Sequence, residues 1–224
     1  MTQPLTFASK EQLNIIEIFS SVQGETSFAG LPTAFIRLAA CNLRCSWCDT
    51  SYSFGRGDVF GLPQILEKVD EFGCRNVCVT GGEPLLQKNV YPLMTQLCDK
   101  NYIVSVETGG SLSIEEIDPR VHIILDIKCP DSNMSDRNFW PNLSAIRPED
   151  EVKFVINGYQ DYLYAKEVCE KFQLFSRKIP VLLSPVFDVL DSKELVNWVL
   201  QDKLPVRLNM QLHKFIWSAT TRGV

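Results

Sequence analysis

TAFIRLAACNLRCSWC (33–48) runs from a β-branched, apolar stretch directly into three cysteines, Cys41, Cys45 and Cys48. TAFIRLA (33–39) reads as a strand, so the Cys-x3-Cys-x2-Cys loop follows its C-terminal end. Three thiolates can hold three irons of a [4Fe–4S] cluster and leave the fourth iron open to a substrate or cofactor. A closed four-thiolate set is better suited to electron transfer or structure. The competing reading is zinc, whose structural sites close with a fourth Cys or His. His122 and His213 are the only histidines and neither is near the triplet in sequence, so zinc would need a distant ligand. Trp47, between the last two cysteines, either shields the metal or forms a wall beside a bound nucleoside.

Strand-like and helix-like segments alternate on either side of this loop. NIIEIF (14–19), NVCVT (76–80), YIVSVET (102–108), VHIILDIK (121–128), EVKFVIN (151–157), IPVLLSP (179–185) and VRLNMQLH (206–213) read as strands. Leu62, Ile65, Leu66, Val69 and Phe72 recur at helical spacing, as do Val90, Leu93, Met94, Leu97 and Cys98. Further helices are expected near 160–172 and 191–201, and Ser113 to Glu116 has the form of a capping box opening a short helical turn. The alternation implies βα units and a parallel sheet. CPDSNMSDRNFWPNLSAIRPED (129–150), with three prolines, reads as irregular: a lid or insertion, or a long connection. In a parallel sheet the C-terminal strand ends converge on one ligand-binding face. Cys41, Thr80-Gly81-Gly82, Glu107-Thr108, Asp126 to Lys128 and Ser184-Pro185 would all lie there, which describes one active site.

The composition sets limits on the rest. The chain has 224 residues, 45% of them hydrophobic and 22% charged, and reads as one globular domain over 1–224. Net charge is −5 with no long basic run, which argues against gripping a nucleic-acid backbone. No apolar run approaches a membrane span, and MTQPLTFASKEQLN (1–14) has no signal-peptide core. A cytoplasmic chain keeps its thiols reduced, so the clustered cysteines read as metal ligands. Of the eight cysteines, Cys74, Cys78, Cys98, Cys129 and Cys169 lie scattered in apolar segments and read as small buried hydrophobes. Cys74 and Cys78 repeat the x3 spacing without a third partner.

Cys-x3-Cys-x-aromatic-Cys followed, after the next strand, by Gly81-Gly82-Glu83-Pro84 resembles the signature of the radical S-adenosylmethionine (SAM) enzymes. Alone, Gly-Gly-Glu-Pro would be an ordinary βα turn. Beside the cysteine loop, its glycines suit close backbone approach to a ligand. A narrower resemblance, to the 7-carboxy-7-deazaguanine synthase family of queuosine and deazapurine synthesis, covers nearly the whole chain. It rests on EIFSSVQGETSFAGLPTAFIRLAACNLRCSWCDTSYSF (17–54), Thr80 to Pro84, Glu107 to Gly109, Asp126 to Lys128, Gln211 to Lys214 and Arg222-Gly223-Val224. Two positions depart from the family pattern: Thr26 and Ala40 stand where glycine is usual or frequent.

The resemblance implies an α/β fold, a partial (βα)6-type radical SAM barrel with a curved parallel sheet. It implies a Mg²⁺-dependent lyase that uses a [4Fe–4S] cluster and SAM to convert 6-carboxy-5,6,7,8-tetrahydropterin to 7-carboxy-7-deazaguanine with loss of ammonia. Cys41, Cys45 and Cys48 would bind the cluster. Val22, Gln23, Gly24, Arg37, Thr80 and His213 would bind substrate. Trp47, Gly82, Glu107, Asp126, Ile127 and Lys128 would contact SAM, and Thr50 would bind Mg²⁺. Read without the family, Arg37 could be a structural ion pair, Thr50 a cap or turn residue and His213 a core histidine. A flavodoxin- or ferredoxin-type reductant and a homodimer go with the resemblance; nucleic acid and membrane do not. A glycyl-radical activase or a non-enzymatic metal-binding module are the alternatives.

Overall fold

A computed structural model describes residues 11–224. Most of MTQPLTFASKEQLN, on which the absence of a signal peptide was read, lies outside the described residues. One nine-stranded sheet runs through the rest, in the order β3-β1-β2-β4-β5-β6-β7-β8-β9. Its strands are β1 (Gln12–Val22), β2 (Pro32–Leu38), β3 (Asp58–Gly61), β4 (Asn76–Gly81), β5 (Ile103–Thr108), β6 (His122–Ile127), β7 (Glu151–Ile156), β8 (Val181–Pro185) and β9 (Arg207–Leu208). The helices are α1 (Leu62–Phe72), α2 (Val90–Asp99), α3 (Pro141–Ala145), α4 (Tyr159–Lys171), α5 (Ser192–Asp202) and α6 (Leu212–Ile216). Successive strands from β2 through β4 to β9 pair in parallel. The sheet has two end strands, β3 and β9, so the barrel is partial.

Several elements differ from the sequence expectation. β1 pairs antiparallel with both β2 and β3: the chain returns beside β1 through the connection 23–31 and again after the cysteine loop, with no crossover α-helix in either connection. β3 has only four residues and no apolar alternation to betray it. VRLNMQLH is not one strand: only Arg207–Leu208 pairs, and the chain then turns into α6. Ser113 starts a turn rather than a helix; its hydroxyl accepts from Glu115 N at 3.3 Å, which is a local competitor of helical pairing.

The hydrophobic core lies on one face of the sheet. Strand side chains alternate between faces. Ile36, Leu38, Val77, Val79, Val104, Val106, Ile123, Leu125, Ile127, Val152, Phe154 and Ile156 all point outward into the core, where α1, α2 and α4 contribute Ile65, Leu93 and Ala165. The intervening positions, Arg37, Thr80, Glu107, Asp126 and Lys153, line an inner cavity. Ile127, expected beside SAM, is fully buried in the core. The one-residue step of a strand sends it away from Asp126 and Lys128. No described helix is long and apolar enough to cross a membrane.

Segment 129–150 is a long connection with its own order, not a loose lid. It contains two short 3-10 turns, Pro130–Ser132 and Ser135–Arg137, and then α3. Ser46 N donates to Ser132 O at 3.1 Å, and Asn133 Nδ2 to Ser46 Oγ at 2.7 Å, fastening the cysteine loop from outside. Asn138 receives Lys128 N and returns its own Nδ2 to Lys128 O, both at 2.9 Å, as a strand partner would. All eight cysteines are free thiols; Cys78, Cys98, Cys129 and Cys169 are buried and Cys74 is half-buried.

The two departures from glycine both have left-handed backbone: Thr26 at φ 68° and Ala40 at φ 72°. A Cβ in that region costs about 1–2 kcal/mol. Ala40 is held there because its N donates to Ser53 O and its carbonyl receives Glu83 N, at 2.8 and 2.9 Å. Thr26 is held by its N donating to Asn209 Oδ1 at 2.7 Å. Ala40→Gly should therefore stabilise the protein by about 1 kcal/mol, raising the Tm by about 2–4 °C. Thermal unfolding of the anaerobic protein checks this; an unchanged or lower Tm would contradict it.

Candidate active site

The strand ends that carry chemistry meet in one cavity of about 670 Å³. Cys41, Cys45 and Cys48 line it, with Trp47 between them and Thr50 just beyond. The loop is stiffened internally: Leu43 N donates to Cys41 Sγ at 3.4 Å, and Arg44 Nη1 donates to the Cys41 and Leu43 carbonyls at 2.8 and 2.6 Å. Burial pushes all three thiols up, and Lys128 is a cation that opposes it at each. Among the described residues, no three His, Cys, Asp or Glu side chains converge on a point fit for a single metal ion. A [4Fe–4S] cluster would offer a separate iron to each of the three thiolates.

The Gly-Gly-Glu-Pro turn packs directly beneath this loop. A Cβ on Gly82 would lie 2.1 Å from Ala40 O and 2.8 Å from Cys41 Cβ, so only glycine lets the two backbones approach. Glu83 anchors the turn from within. Fully buried, it accepts from Leu85 N at 3.0 Å, Gly109 N at 2.8 Å and Thr108 Oγ1 at 2.9 Å. Burial raises its carboxyl, and these donors resist the rise.

On the wall next to the cysteines, Asp126 and Lys128 project from the same face of β6 and its extension. Lys128 Nζ lies 2.9 Å from Asp126 Oδ2. Asp126 Oδ1 is buried with no hydrogen-bond partner. A buried acceptor left empty in a cavity is a site for a ligand donor. The three thiols, the glycine cradle and this acceptor together fit a cluster with SAM beside it.

The opposite wall is built from β1, β2, β4, β5 and the chain's distal segment. Arg37 and Thr80 are register neighbours on β2 and β4. Arg37 Nε donates to Glu17 Oε1 at 2.7 Å, and the guanidinium lies 5.9 and 6.0 Å from the Phe19 and Tyr52 ring centroids. Tyr52 OH donates to the same Glu17 oxygen at 2.8 Å. The ion pair uses only Nε, and the terminal nitrogens of this cavity-lining guanidinium make no hydrogen bond among the described residues. Glu107, expected beside SAM, accepts from Gln23 Nε2 at 3.3 Å and Thr80 Oγ1 at 3.4 Å, on the wall assigned to substrate.

Val22, Gln23 and Gly24 continue this wall, and His213 closes over them. A Cβ on Gly24 would sit 2.2 Å from His213 Nδ1, so the loop and the histidine fit only without a side chain there. Burial pushes His213 below its usual value, favouring the neutral imidazole. Thr50 occupies the N-cap position of the turn Ser51–Phe54 but makes no side-chain cap bond. Its hydroxyl donates instead to Asp49 Oδ1 at 2.8 Å, leaving its lone pairs available.

Further residues line the cavity: Lys153 was not singled out from sequence, whereas Glu25, Gln211, Lys214 and Arg222 to Val224 lie in stretches that carry the family resemblance. Lys153, on β7, lies 3.0 Å from Glu25 Oε2 and 3.8 Å from Asp126 Oδ2. Gln211 Nε2 donates to Glu25 Oε1 at 3.0 Å, and Lys214 Nζ to Asp49 Oδ2 at 2.7 Å. Residues 219–224 complete the rim. The available signal was a lone charge inside an apolar strand, as in EVKFVIN, where a solvated face is the ordinary reading only if the strand has one.

The Radical SAM superfamily model matches residues 35–173. The 7-carboxy-7-deazaguanine synthase of Chlorobaculum tepidum is 44% identical, over 97% of this chain and 100% of that one. The protein of the same name from Koribacter versatilis is 39% identical, over 95% of this chain and 100% of its own. A crystal structure of QueE from Escherichia coli superposes with a TM-score of 0.76 at 22% identity, covering 95% of this chain and 99% of that one, which speaks to the fold. The full-length relatives and the family model agree with the cavity: this chain belongs to the radical SAM superfamily and, within it, to the 7-carboxy-7-deazaguanine synthase family.

Proposed function

We propose that this chain, acting as one radical SAM domain over 1–224, converts 6-carboxy-5,6,7,8-tetrahydropterin to 7-carboxy-7-deazaguanine with loss of ammonia. The observation that carries the substrate assignment is Arg37, a half-buried guanidinium lining the cavity, whose Nε is tied back to Glu17 while its terminal nitrogens have no hydrogen-bond partner among the described residues. That geometry suits bidentate capture of a carboxylate.

Cys41, Cys45 and Cys48 would hold the [4Fe–4S] cluster, and Trp47, Gly82, Asp126 and Lys128 would hold SAM. When bound, these groups supply a one-electron cleavage that generates a carbon radical able to take hydrogen from the substrate. The chain's own residues bind, orient and exclude water. Gln23, Thr80 and Glu107 form a hydrogen-bonded group for the polar edge of a pterin. Neutral His213 presses on the Gln23–Gly24 loop from above. Thr50, with Asp49 behind it, offers a hard oxygen to Mg²⁺, which commonly takes its remaining ligands from water and a substrate oxygen. Phe19, Phe35 and Phe187 line the same cavity and keep it dry. A flavodoxin- or ferredoxin-type reductant and a second copy of the chain are the proposed partners, in the cytoplasm. A homodimer would cover exposed apolar side chains such as Val189, Phe215 and Ile216.

The decisive measurement is anaerobic incubation of the reconstituted protein with SAM, reductant, Mg²⁺ and the carboxypterin. Deazapurine and 5′-deoxyadenosine should both appear. Deoxyadenosine alone would leave the superfamily intact and remove the substrate. Cys45→Ala should abolish SAM cleavage. Thr50→Ala should weaken the Mg²⁺ dependence of turnover; an unchanged Mg²⁺ titration would take the metal away from Thr50. Arg37→Lys keeps the charge but loses the fork, so KM for the carboxypterin should rise about tenfold or more, read by steady-state kinetics.

A further inference from the structure

The ammonium of Lys153 lies between the two halves of the cavity. Lys153 is the register partner of Asp126 across β6 and β7, so strand pairing fixes the two side by side on the inner face. Its Nζ reaches across to Glu25 Oε2 at 3.0 Å and lies 3.8 Å from Asp126 Oδ2. Only 8% of Lys153 is exposed, too little for a lysine that merely solvates a surface. Glu25 is part of the Gln-Gly-Glu loop that carries Gln23 and Gly24, and Asp126 is part of the wall assigned to SAM. A lone lysine amid the apolar residues of EVKFVIN is costly to bury, and three acidic neighbours, Glu25, Asp126 and Glu107, keep it charged against that cost.

We infer that Lys153 is a positioning residue: it pins Glu25 of the substrate loop to the Asp126 wall and keeps Glu25 ionised in the closed cavity. This rests on the proposed function for the identity of the two ligands, but the contact itself does not. The other contacts of Glu25 are neutral amides. Gln211 Nε2 donates to Oε1 at 3.0 Å, and Asn209 Nδ2 donates to Oε2 at 3.3 Å. The charges around it from other elements are Asp126 on β6, Glu107 on β5, Arg37 on β2 and Asp49 in the cysteine loop. His213 and Lys214 face it from the distal segment. Burial pushes the Glu25 carboxyl up; Lys153, chiefly, with the Gln211 bond, brings it below its usual value.

The sign follows. A carboxyl with lowered pKa is ionised above that value and is neutralised as pH falls through it. Without Lys153, burial and the neighbouring carboxylates prevail, and Glu25 takes up its proton at higher pH. Lys153→Met, close in shape and uncharged, should move the acid limb of kcat/KM upward by about one pH unit or more and lower kcat/KM roughly a hundredfold. Lys153→Arg should leave the limb where it is, since the charge remains. It should still raise KM, because a planar guanidinium cannot take the place of one ammonium between Glu25 and Asp126. Coincident acid limbs for Lys153→Met and the parent would overturn the inference. If Lys153→Met fails to fold, a Lys153→Arg enzyme with parental KM would overturn it instead. A second readout needs no pterin: carboxyl titration by ¹³C NMR of holoenzyme labelled with δ-¹³C-glutamate, using Glu25→Gln to assign the resonance. The Glu25 signal should titrate at higher pH in Lys153→Met, and an unmoved signal would overturn the inference. Parent enzyme that does not turn over the carboxypterin would defeat the substrate assignment while leaving this titration to decide Lys153.

Discussion

A strand cannot choose which of its residues share a face, and this architecture depends on that constraint. Between β2 and β7, the outward positions are aliphatic or aromatic and pack beneath α1, α2 and α4. With stability supplied on that side, the inward positions are free to be charged. The result is a sheet whose core lies outside its curve and whose polar chemistry lies within it. Parallel sheets covered on both faces read as nearly continuous apolar runs. Here one face instead carries Arg37, Glu107, Asp126 and Lys153. Ionised groups at this depth persist because each has a partner: Arg37 with Glu17, Lys128 with Asp126, Lys153 with Glu25. Breaking such a pair costs more than the pair contributes, since the survivor is left uncompensated.

The second organising contact is backbone on backbone. The cysteine loop and the Gly-Gly-Glu-Pro turn meet where Ala40, Cys41 and Gly82 leave no room for a side chain. Glu83 N donates to Ala40 O, and the Glu83 side chain reaches on to the end of β5. Three consecutive strand ends are tied into one rigid ledge, and the thiols sit on it. The tie holds Ala40 in a conformation that glycine adopts more easily.

Much of this was legible in the sequence. The βα alternation gave the sheet, and the cysteine spacing with Gly81-Gly82 gave the metal end of the cavity, because both are local patterns. Strand polarity was less visible: β1 pairs antiparallel with β2 and β3, and the connections responsible, 23–31 and 39–57, carry residues that mark the site but not the direction of the chain. Ile127 does not line the cavity beside Asp126 and Lys128, because a consecutive motif ignores the alternation of faces. Lys153 has no local pattern to mark it, and the motifs holding Glu25 and Gln211 do not reveal that these residues meet, because the contacts join positions more than a hundred residues apart in sequence. Segment 129–150 looked irregular and is, yet Asn138 and Ser132 show that irregular backbone can be fully ordered when its polar groups are paired.

The fit between Gly24 and His213 bears on how the chain acquires its pocket. The substrate wall joins the segment around residues 22–26 to the segment around 209–214, through Leu212 N on Gly24 O and Gln211 on Glu25. The cysteine loop is tied to the distal segment as well, through Lys214 Nζ on Asp49 Oδ2 at 2.7 Å. The pocket therefore closes only when the segment around 209–214 returns both to the loop at 22–26 and to Asp49. Loop-closure entropy rises only slowly with length, so this joining is thermodynamically mild, but contacts this remote form slowly. Until residues 209–214 are in place, both walls lack contacts that close the pocket: Leu212 on Gly24, Gln211 on Glu25 and Lys214 on Asp49.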